Sequence, residues 1–410
     1  MRIIADLHIH SKYSRATSPT MDLENLSKWA KWKGITVMGT GDFTHPLWFQ
    51  ELRQKLKPIA EGLYEFNGVY FMLMVELNHL FYVEGKAKTI HNLVFVPTLE
   101  VAERLNKELS RYGDLMSDGR PLIRLEAKKL VEIALAIDPS CMIVPAHAWT
   151  PHFAIFGSNG GFDSLEECFG ERTKDIRAIE TGLSSDPAMN WRWSDLDRVA
   201  LISNSDSHSA PRIGREANVL ECELSYQGIT EAIKSKDPKR FLMTVEFFPE
   251  EGKYHYDGHR NCKSRLDPEE TIRRQYRCPV CGRAVTVGVM HRVQKLSDRP
   301  VGYKPANPVP FKNLIPLQEI IADAKGIGVD TAGVEQEYHT LIQRLGSEFH
   351  ILLEAEAEQI RKYASPKVAE GILRVREGRV KIQPGYDGEY GKISIFGEEE
   401  KTTEKQMTLF

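Results

Sequence analysis

Short runs of apolar and β-branched residues recur through the first half of the chain, and most are followed by stretches of helical period. The runs predict strands over residues 2–6, 35–40, 69–75, 90–96, 142–145, 176–180 and 200–203. Helices are predicted over 23–33, 47–60, 99–111, 126–137 and 193–199. Strand followed by helix, repeated, calls for parallel pairing through right-handed crossovers, so the expected class is α/β with a βα barrel. The connection from Glu76 to Ile90 is too short and polar for a crossover helix, which predicts an irregular barrel. A tight turn there would pair 90–96 antiparallel and bring His91 to the face that carries Glu76.

Ionisable residues collect at the strand ends. Asp6-Leu-His8-Ile-His10 alternates with a period of two, so one carboxylate and two imidazoles project from one face of one strand. Burying such a set without a metal or polar partners costs several kcal/mol, which makes it a candidate metal site. Further along stand Asp42 and His45 in GDFTH, Glu76, His147 in PAHAW, and Asp206 and His208 in SDSH. In βα barrels chemistry is built on the C-terminal face, where loops from different strands converge. Mixed imidazole and carboxylate donors suit zinc first, with manganese or magnesium as the alternative at a catalytic centre.

At 410 residues the chain suits two or three domains. A formal net charge of −3 excludes a globally basic nucleic-acid binder. Cys141, Cys168 and Cys222 are scattered, whereas Cys262, Cys278 and Cys281 crowd together, which argues for reduced thiols and a metal clip. The donor run beginning at Asp6 leaves no room for a signal peptide, and no apolar stretch is long enough to span a bilayer. A cytoplasmic, nucleoid-associated monomer is expected, with no membrane contact.

Composition changes abruptly near residue 251. His259-x2-Cys262 and Cys278-x2-Cys281 are two knuckles whose four ligands make a closed, structural zinc site. From Lys253 to Lys304 there are 12 Lys and Arg against 5 Asp and Glu. That local excess reads as a clamp for a nucleic-acid backbone, with Arg260, Lys263, Arg273, Arg274 and Arg277 as candidate contacts. Prolines 300, 305, 308, 310 and 316 mark a linker, after which KGIGVDTA joins two helices in a helix-hairpin-helix-like turn. The predicted organisation is a barrel with the candidate metal site over 1–250, a basic zinc module over 251–300, a helical domain over 301–395 and a flexible tail over 396–410. The loop after residue 145 is rich in aromatics and glycine. Trp149, His152, Phe156, Asn159, Ser164 and Glu167 are candidates for a pocket that stacks and reads an extruded nucleobase. A packed lid over the metal residues is the alternative.

The motifs DLHIH, GDFTH, Glu76, His91, PAHAW and SDSH, in this order, resemble those of the polymerase and histidinol phosphatase superfamily of metallo-phosphoesterases. That resemblance implies a distorted seven-stranded βα barrel with two or three metals. His8, His10, Glu76 and Asp206 would hold one, Glu76, His91 and His147 a second, and Asp42, His45 and His208 a third. The catalytic set would be His8, His10, Glu76, His147, Asp206 and His208. With HAWTP, GFDSLEECFG, IETGLSSDP, YHYDGHRNC, RCPVCG and PGYDGEYG added, nearly the whole chain is similar to the endonuclease Q family. The family resemblance implies incision of DNA 5′ to deaminated bases (hypoxanthine, uracil, xanthine) and to abasic sites. Gln406, Leu409 and Phe410 resemble the start of a peptide that docks on the replication sliding clamp. A proofreading exonuclease, a small-molecule phosphatase and a non-catalytic DNA-binding platform are the competing readings.

Overall fold

The structure, a computed structural model, describes residues 1–397 and residue 400. The predicted clamp residues Gln406, Leu409 and Phe410 lie outside the described residues. Arg2–Asp6 sits in the middle of an eleven-stranded mixed sheet, parallel to Val37–Gly39 on one side and antiparallel to Ala217–Glu221 on the other. Val37–Gly39 is followed in the sheet by Val69–Val83, parallel, and then by Lys86–Val96 and Met142–Pro145, each antiparallel to its neighbour. On the far side Ala217–Glu221 pairs antiparallel with Phe241–Glu246, which takes Phe311–Asn313 as a parallel edge.

The seven strands expected of a distorted barrel do not all join one sheet. Ala178–Glu180 and Ala200–Ile202 make a separate parallel pair. They are tied to the main sheet by Ala148 N–H to Glu180 O at 2.9 Å and by side-chain bonds, among them Ser203 N–H to Asn218 Oδ1 at 3.0 Å and Ser203 Oγ to Val245 O at 2.8 Å. Two strands near 217 and 241 supply antiparallel pairings that the strand–helix alternation did not predict: the helix Tyr226–Ser235 between them returns the chain antiparallel to the strand it left, instead of crossing over to a parallel one. The tight turn anticipated before residue 90 is present: Glu84 and Gly85 both have positive φ, and Val69–Val83 and Lys86–Val96 form a long antiparallel hairpin. The predicted helix 47–60 is shorter. It spans Pro46–Lys55, and Lys57–Ala60 is a strand, since Pro58 cannot continue a helix. Residues Ser194–Arg198 form only a short 3-10 turn.

Ile3, Leu7, Val37, Met74, Phe95 and Ile202 fill the interior below the strand ends and leave the polar residues to the mouth. Five helices, Leu317–Lys325, Ala332–Leu345, Glu348–Leu353, Ala357–Tyr363 and Pro366–Arg376, form the C-terminal body. It is anchored to the sheet domain by a buried ion pair, Lys33 Nζ to Glu348 Oε2 at 2.9 Å. Tyr338 Oη donates to the same oxygen, also at 2.9 Å, and Leu317 N–H to the other, so both lone-pair faces of this buried carboxylate are satisfied. Between the two bodies, Val289–Leu296 ties the cysteine-rich segment to the long loop. Arg292 Nε donates to Phe156 O and Nη2 to Phe162 O, at 2.9 and 2.7 Å.

Candidate metal centre

The extended segment after strand Arg2–Asp6 keeps the period of two and brings His8 and His10 to the mouth, where both are fully buried. His10 Nε2 stands 3.1 Å from both Glu76 Oε2 and Asp206 Oδ1, and His8 Nε2 lies 3.6 and 3.5 Å from the same atoms. The other oxygen of Glu76 faces the hairpin: Oε1 is 2.7 Å from His91 Nδ1 and 2.9 Å from His147 Nε2. His91 and Glu76 meet because the turn at Glu84-Gly85 folds their strands together, with Leu93 directly opposite Glu76. Two donor groups result, His8/His10/Glu76/Asp206 and Glu76/His91/His147, each compact enough for one ion, with the carboxylate of Glu76 spanning them.

The unused ends of these side chains also point to cations. His8 Nε2, His10 Nε2, His91 Nε2 and Asp206 Oδ1 are buried without a hydrogen-bond partner, a costly arrangement unless something else occupies them. The opposite nitrogens are held. His8 Nδ1 lies 3.0 Å from Glu180 Oε1, and His10 Nδ1 lies 3.0 Å from Asp42 Oδ1. Carboxylates behind imidazoles in this way fix ring orientation and tautomer. Burial disfavours a proton on His8 and His10, yet Glu180, Asp206 and Glu76 around the first ring and Asp42, Asp206 and Glu76 around the second outweigh it and raise both. Burial would push Glu76 and Asp206 up, but the surrounding histidines hold both carboxylates below their ordinary range. Both carboxylates are thereby held ionised, which draws positive charge to the mouth. Asp42, His147 and Asp206 have φ of 49°, 30° and 46°, backbone strain gathered at the residues that build the mouth.

Several predicted residues are placed elsewhere. Asp6 does not join the cluster with His8 and His10. Its oxygens accept from Ser205 N–H at 3.0 Å and Gly214 N–H at 2.8 Å, because it lies one pleat deeper and is used to fasten the loop that carries Asp206. Asp42 is spent on His10 and on Ser11, whose N–H and Oγ donate to it at 2.6 and 2.7 Å. His45 stacks on Tyr13 with ring centroids 4.4 Å apart. His208 packs against His10 at 4.5 Å with Nδ1 facing Asp206 O at 2.9 Å. Among the described residues Asp42, His45 and His208 form no third donor group.

Trp149 and Phe156 are enclosed in the core, packed against Trp193, and Trp149 Nε1 donates to Asn190 Oδ1 at 2.8 Å, so neither presents a free face. Ser164 and Glu167 cap the short helix Leu165–Phe169, Ser164 Oγ accepting from Glu167 N–H and Glu167 Oε2 from Asp163 N–H. His152 and Asn159 are exposed, with His152 Nε2 3.2 Å from Asn159 Nδ2. Beside His152 opens an apolar cavity of about 300 Å3 lined by Thr150, Pro151, Lys253, Tyr254, His255 and Tyr390. Thr150 Oγ1 lies 3.1 Å from His147 Nδ1, so the cavity adjoins the donor cluster. Glu180 and Arg120, whose Nη1 donates to Glu76 Oε2 at 3.1 Å, escaped sequence reasoning.

A second site lies in the cysteine-rich segment, where His259, Cys262, Cys278 and Cys281 converge as a four-donor group. Backbone N–H groups of Cys281 and Val280 draw the Cys278 thiol down to about 6 against the effect of burial. Arg260, Lys263, Arg273, Arg274 and Arg277 are all exposed, although Arg274 is paired with Glu270 at 2.8 Å.

Fold and donor groups together define an α/β protein with metal-donor clusters at one mouth of its sheet and a separate Cys3His group. A family model described as the MJ0043 C-terminal domain matches residues 316–379. Protein MJ0043 of Methanocaldococcus jannaschii is 32% identical over 271 residues, 64% of this chain, and the chain spans about a third of that relative's length (33%). Protein YqxK of Bacillus subtilis is 30% identical over 414 residues, covering 96% of this chain and 99% of its own. The lesion-specific endonuclease PfuEndoQ of Pyrococcus furiosus superposes with a TM-score of 0.87 at 32% identity, over 98% of this chain and 99% of that one. Endonuclease Q in complex with a 27-mer duplex substrate, an abasic lesion at its active site, superposes at 0.85 with 32% identity and 98% of each chain covered. The chain belongs to the endonuclease Q family. Among the described residues no helix is long and apolar enough to cross a membrane.

Proposed function

We propose that this chain is a DNA-repair endonuclease that hydrolyses the phosphodiester 5′ to deaminated bases and abasic sites. The observation that carries the reading is the pair of donor groups joined by Glu76 in a chain that matches a lesion-specific endonuclease along its length. His8, His10, Glu76 and Asp206 would hold one ion and Glu76, His91 and His147 another, with zinc the first choice and manganese or magnesium the alternative. When bound, such ions polarise a phosphoryl oxygen, lower the pKa of water and stabilise the leaving oxygen. The protein's own contribution is orientation. Glu180 and Asp42 fix the His8 and His10 rings, and the strained loops at His147 and Asp206 hold their side chains at the mouth.

A multinuclear centre at the end of a distorted barrel over residues 1–250 leaves selection to its surroundings. Deaminated bases pair weakly, so extruding one costs less than extruding a normal base. The cavity beside His152 has the apolar walls and the aromatic edges, Tyr254 and Tyr390, that a nucleobase needs. The Cys3His group would hold a structural zinc, and the exposed cations of the same module would grip the backbone, with the helical domain behind them. The sliding clamp is proposed as a partner through Gln406, Leu409 and Phe410. A covalently closed circle carrying one hypoxanthine tests the reading: an endonuclease nicks it, whereas an exonuclease, a phosphomonoesterase or a binding platform leaves it closed.

A further inference from the structure

Arg120 enters the donor cluster from a loop that carries no strand or helix signal. Its Nη1 donates to Glu76 Oε2 at 3.1 Å, the same oxygen that faces His8 and His10. The loop is pinned against the mouth: Gly119 N–H donates to Tyr13 O at 3.0 Å and Asn78 N–H to Pro121 O at 3.1 Å. A Cβ on Gly119 would collide with the carboxylate of Asp42 and with Ser14, so only glycine lets the backbone come this close. This approach sets the neighbouring guanidinium at the cluster's edge. The Arg120 side chain is 24% exposed, and apart from Nη1 its N–H groups meet no protein acceptor among the described residues.

A permanent cation is out of place in a pocket built to collect other cations. A guanidinium and a divalent ion drawn to the same carboxylate repel each other strongly in a buried site, where the effective dielectric is well below that of water. Pairing with Glu76 offsets only part of the repulsion once that carboxylate also serves two ions. What restores balance is an anion on the open side, and the planar fork of a guanidinium matches two phosphoryl oxygens.

We propose that Arg120 is a phosphate-binding catalytic residue whose free N–H groups hold a non-bridging oxygen of the scissile phosphodiester beside the Glu76 cluster. The assignment rests on the endonuclease reading and deepens it. In the step it assists, a water oxygen forms the new bond to phosphorus and loses its proton to solvent. The bond from phosphorus to the 3′ oxygen breaks, and that oxygen keeps the electron pair and takes up a proton. Arg120 keeps all its protons throughout and stabilises charge on the non-bridging oxygens as the phosphorus becomes five-coordinate.

The test uses the full-length, metal-loaded protein as wild type, Arg120→Ala and Arg120→Lys. Bound metal is counted, stabilisation by inorganic phosphate is read from thermal unfolding, and incision of an abasic duplex is followed under single-turnover conditions. Arg120→Ala is expected to keep its metals, to need at least about ten-fold more phosphate for half-stabilisation, and to incise about 10²–10³-fold more slowly. Added guanidinium ion should restore part of the rate, and Arg120→Lys should fall between, since it keeps the charge without the fork. Two results overturn the assignment: phosphate response and incision within about three-fold of wild type in Arg120→Ala, or loss of bound metal in step with activity, which would make Arg120 a prop for Glu76. If Arg120→Ala does not fold, Arg120→Lys decides by the same criteria. Wild-type protein that binds phosphate through Arg120 yet cuts no DNA would refute the endonuclease reading and leave the phosphate site standing.

Discussion

Glu180 Oε1 lies 3.0 Å from His8 Nδ1, and the second oxygen of Glu180 accepts the backbone N–H of His147 at 2.8 Å. One buried carboxylate thereby orients residues of both donor groups, although it contributes to neither. Glu180→Gln keeps the volume but replaces one acceptor with an NH2 that opposes the donors around it. It is expected to weaken metal binding by about 10–100-fold, measured by competition with a chromophoric chelator, while leaving the fold intact. Unchanged affinity would mean that the His8 ring needs no such support.

Below the mouth, Glu216 and Glu246 are both buried, and burial raises both, helped by repulsion from Glu246 at Glu216 and from Asp186 at Glu246. Glu246 is pushed from 4.5 up to about 8, chiefly by burial, against the hydrogen bonds from Thr244 and Thr181. Between those two pH values the unfolded chain has released the proton that the folded chain retains. Stability should therefore fall as pH rises from about 4.5 to about 8 and then level off. Glu246→Gln removes this dependence: its Tm should exceed the wild type's by a few degrees at pH 8 and match it at pH 5. An equal shift at both pH values would contradict the assignment.

In the cysteine-rich module a Cys278→Ser substitution removes one of four donors from a closed site, and about one metal per chain should disappear. Because Arg292 links this module to Phe156 and Phe162 of the long loop, damage should also reach substrate binding. Affinity for an abasic duplex, read by fluorescence anisotropy, should drop at least about ten-fold, with a steeper dependence on salt lost alongside. Retained affinity would separate the module from DNA binding.

The donors legible in the sequence were those that a local rule places. The period of two in residues 6–10 carries His8 and His10 to one face, and the short connection after Glu76 folds His91 back to it. The same period placed Asp6 on that face without revealing its depth, where loop N–H groups claim it. Glu180 and Arg120 act through contacts between distant segments, |i−j| of 172 and 44, and no spacing rule reports those. Aromatic richness after His147 looked the same whether it served stacking or packing, and burial decided for packing at Trp149 and Phe156. Strand–helix alternation revealed the α/β class but carries no sign of strand direction, so it was blind to Ala217–Glu221 and Phe241–Glu246, which pair antiparallel although the helix Tyr226–Ser235 joins them.

The central claim is that histidines and carboxylates from separate strands trap cations at one mouth and that incision depends on those cations. The most direct measurement strips the protein of metal, adds zinc or manganese back in steps, and follows metal per chain and nicking of an abasic duplex on the same samples. Nicking should appear only as ions beyond the one held by the Cys3His group are bound, and His8→Ala and Asp206→Ala should bind the duplex without cutting it. Full-rate nicking by the stripped protein, or by either variant, would contradict the account.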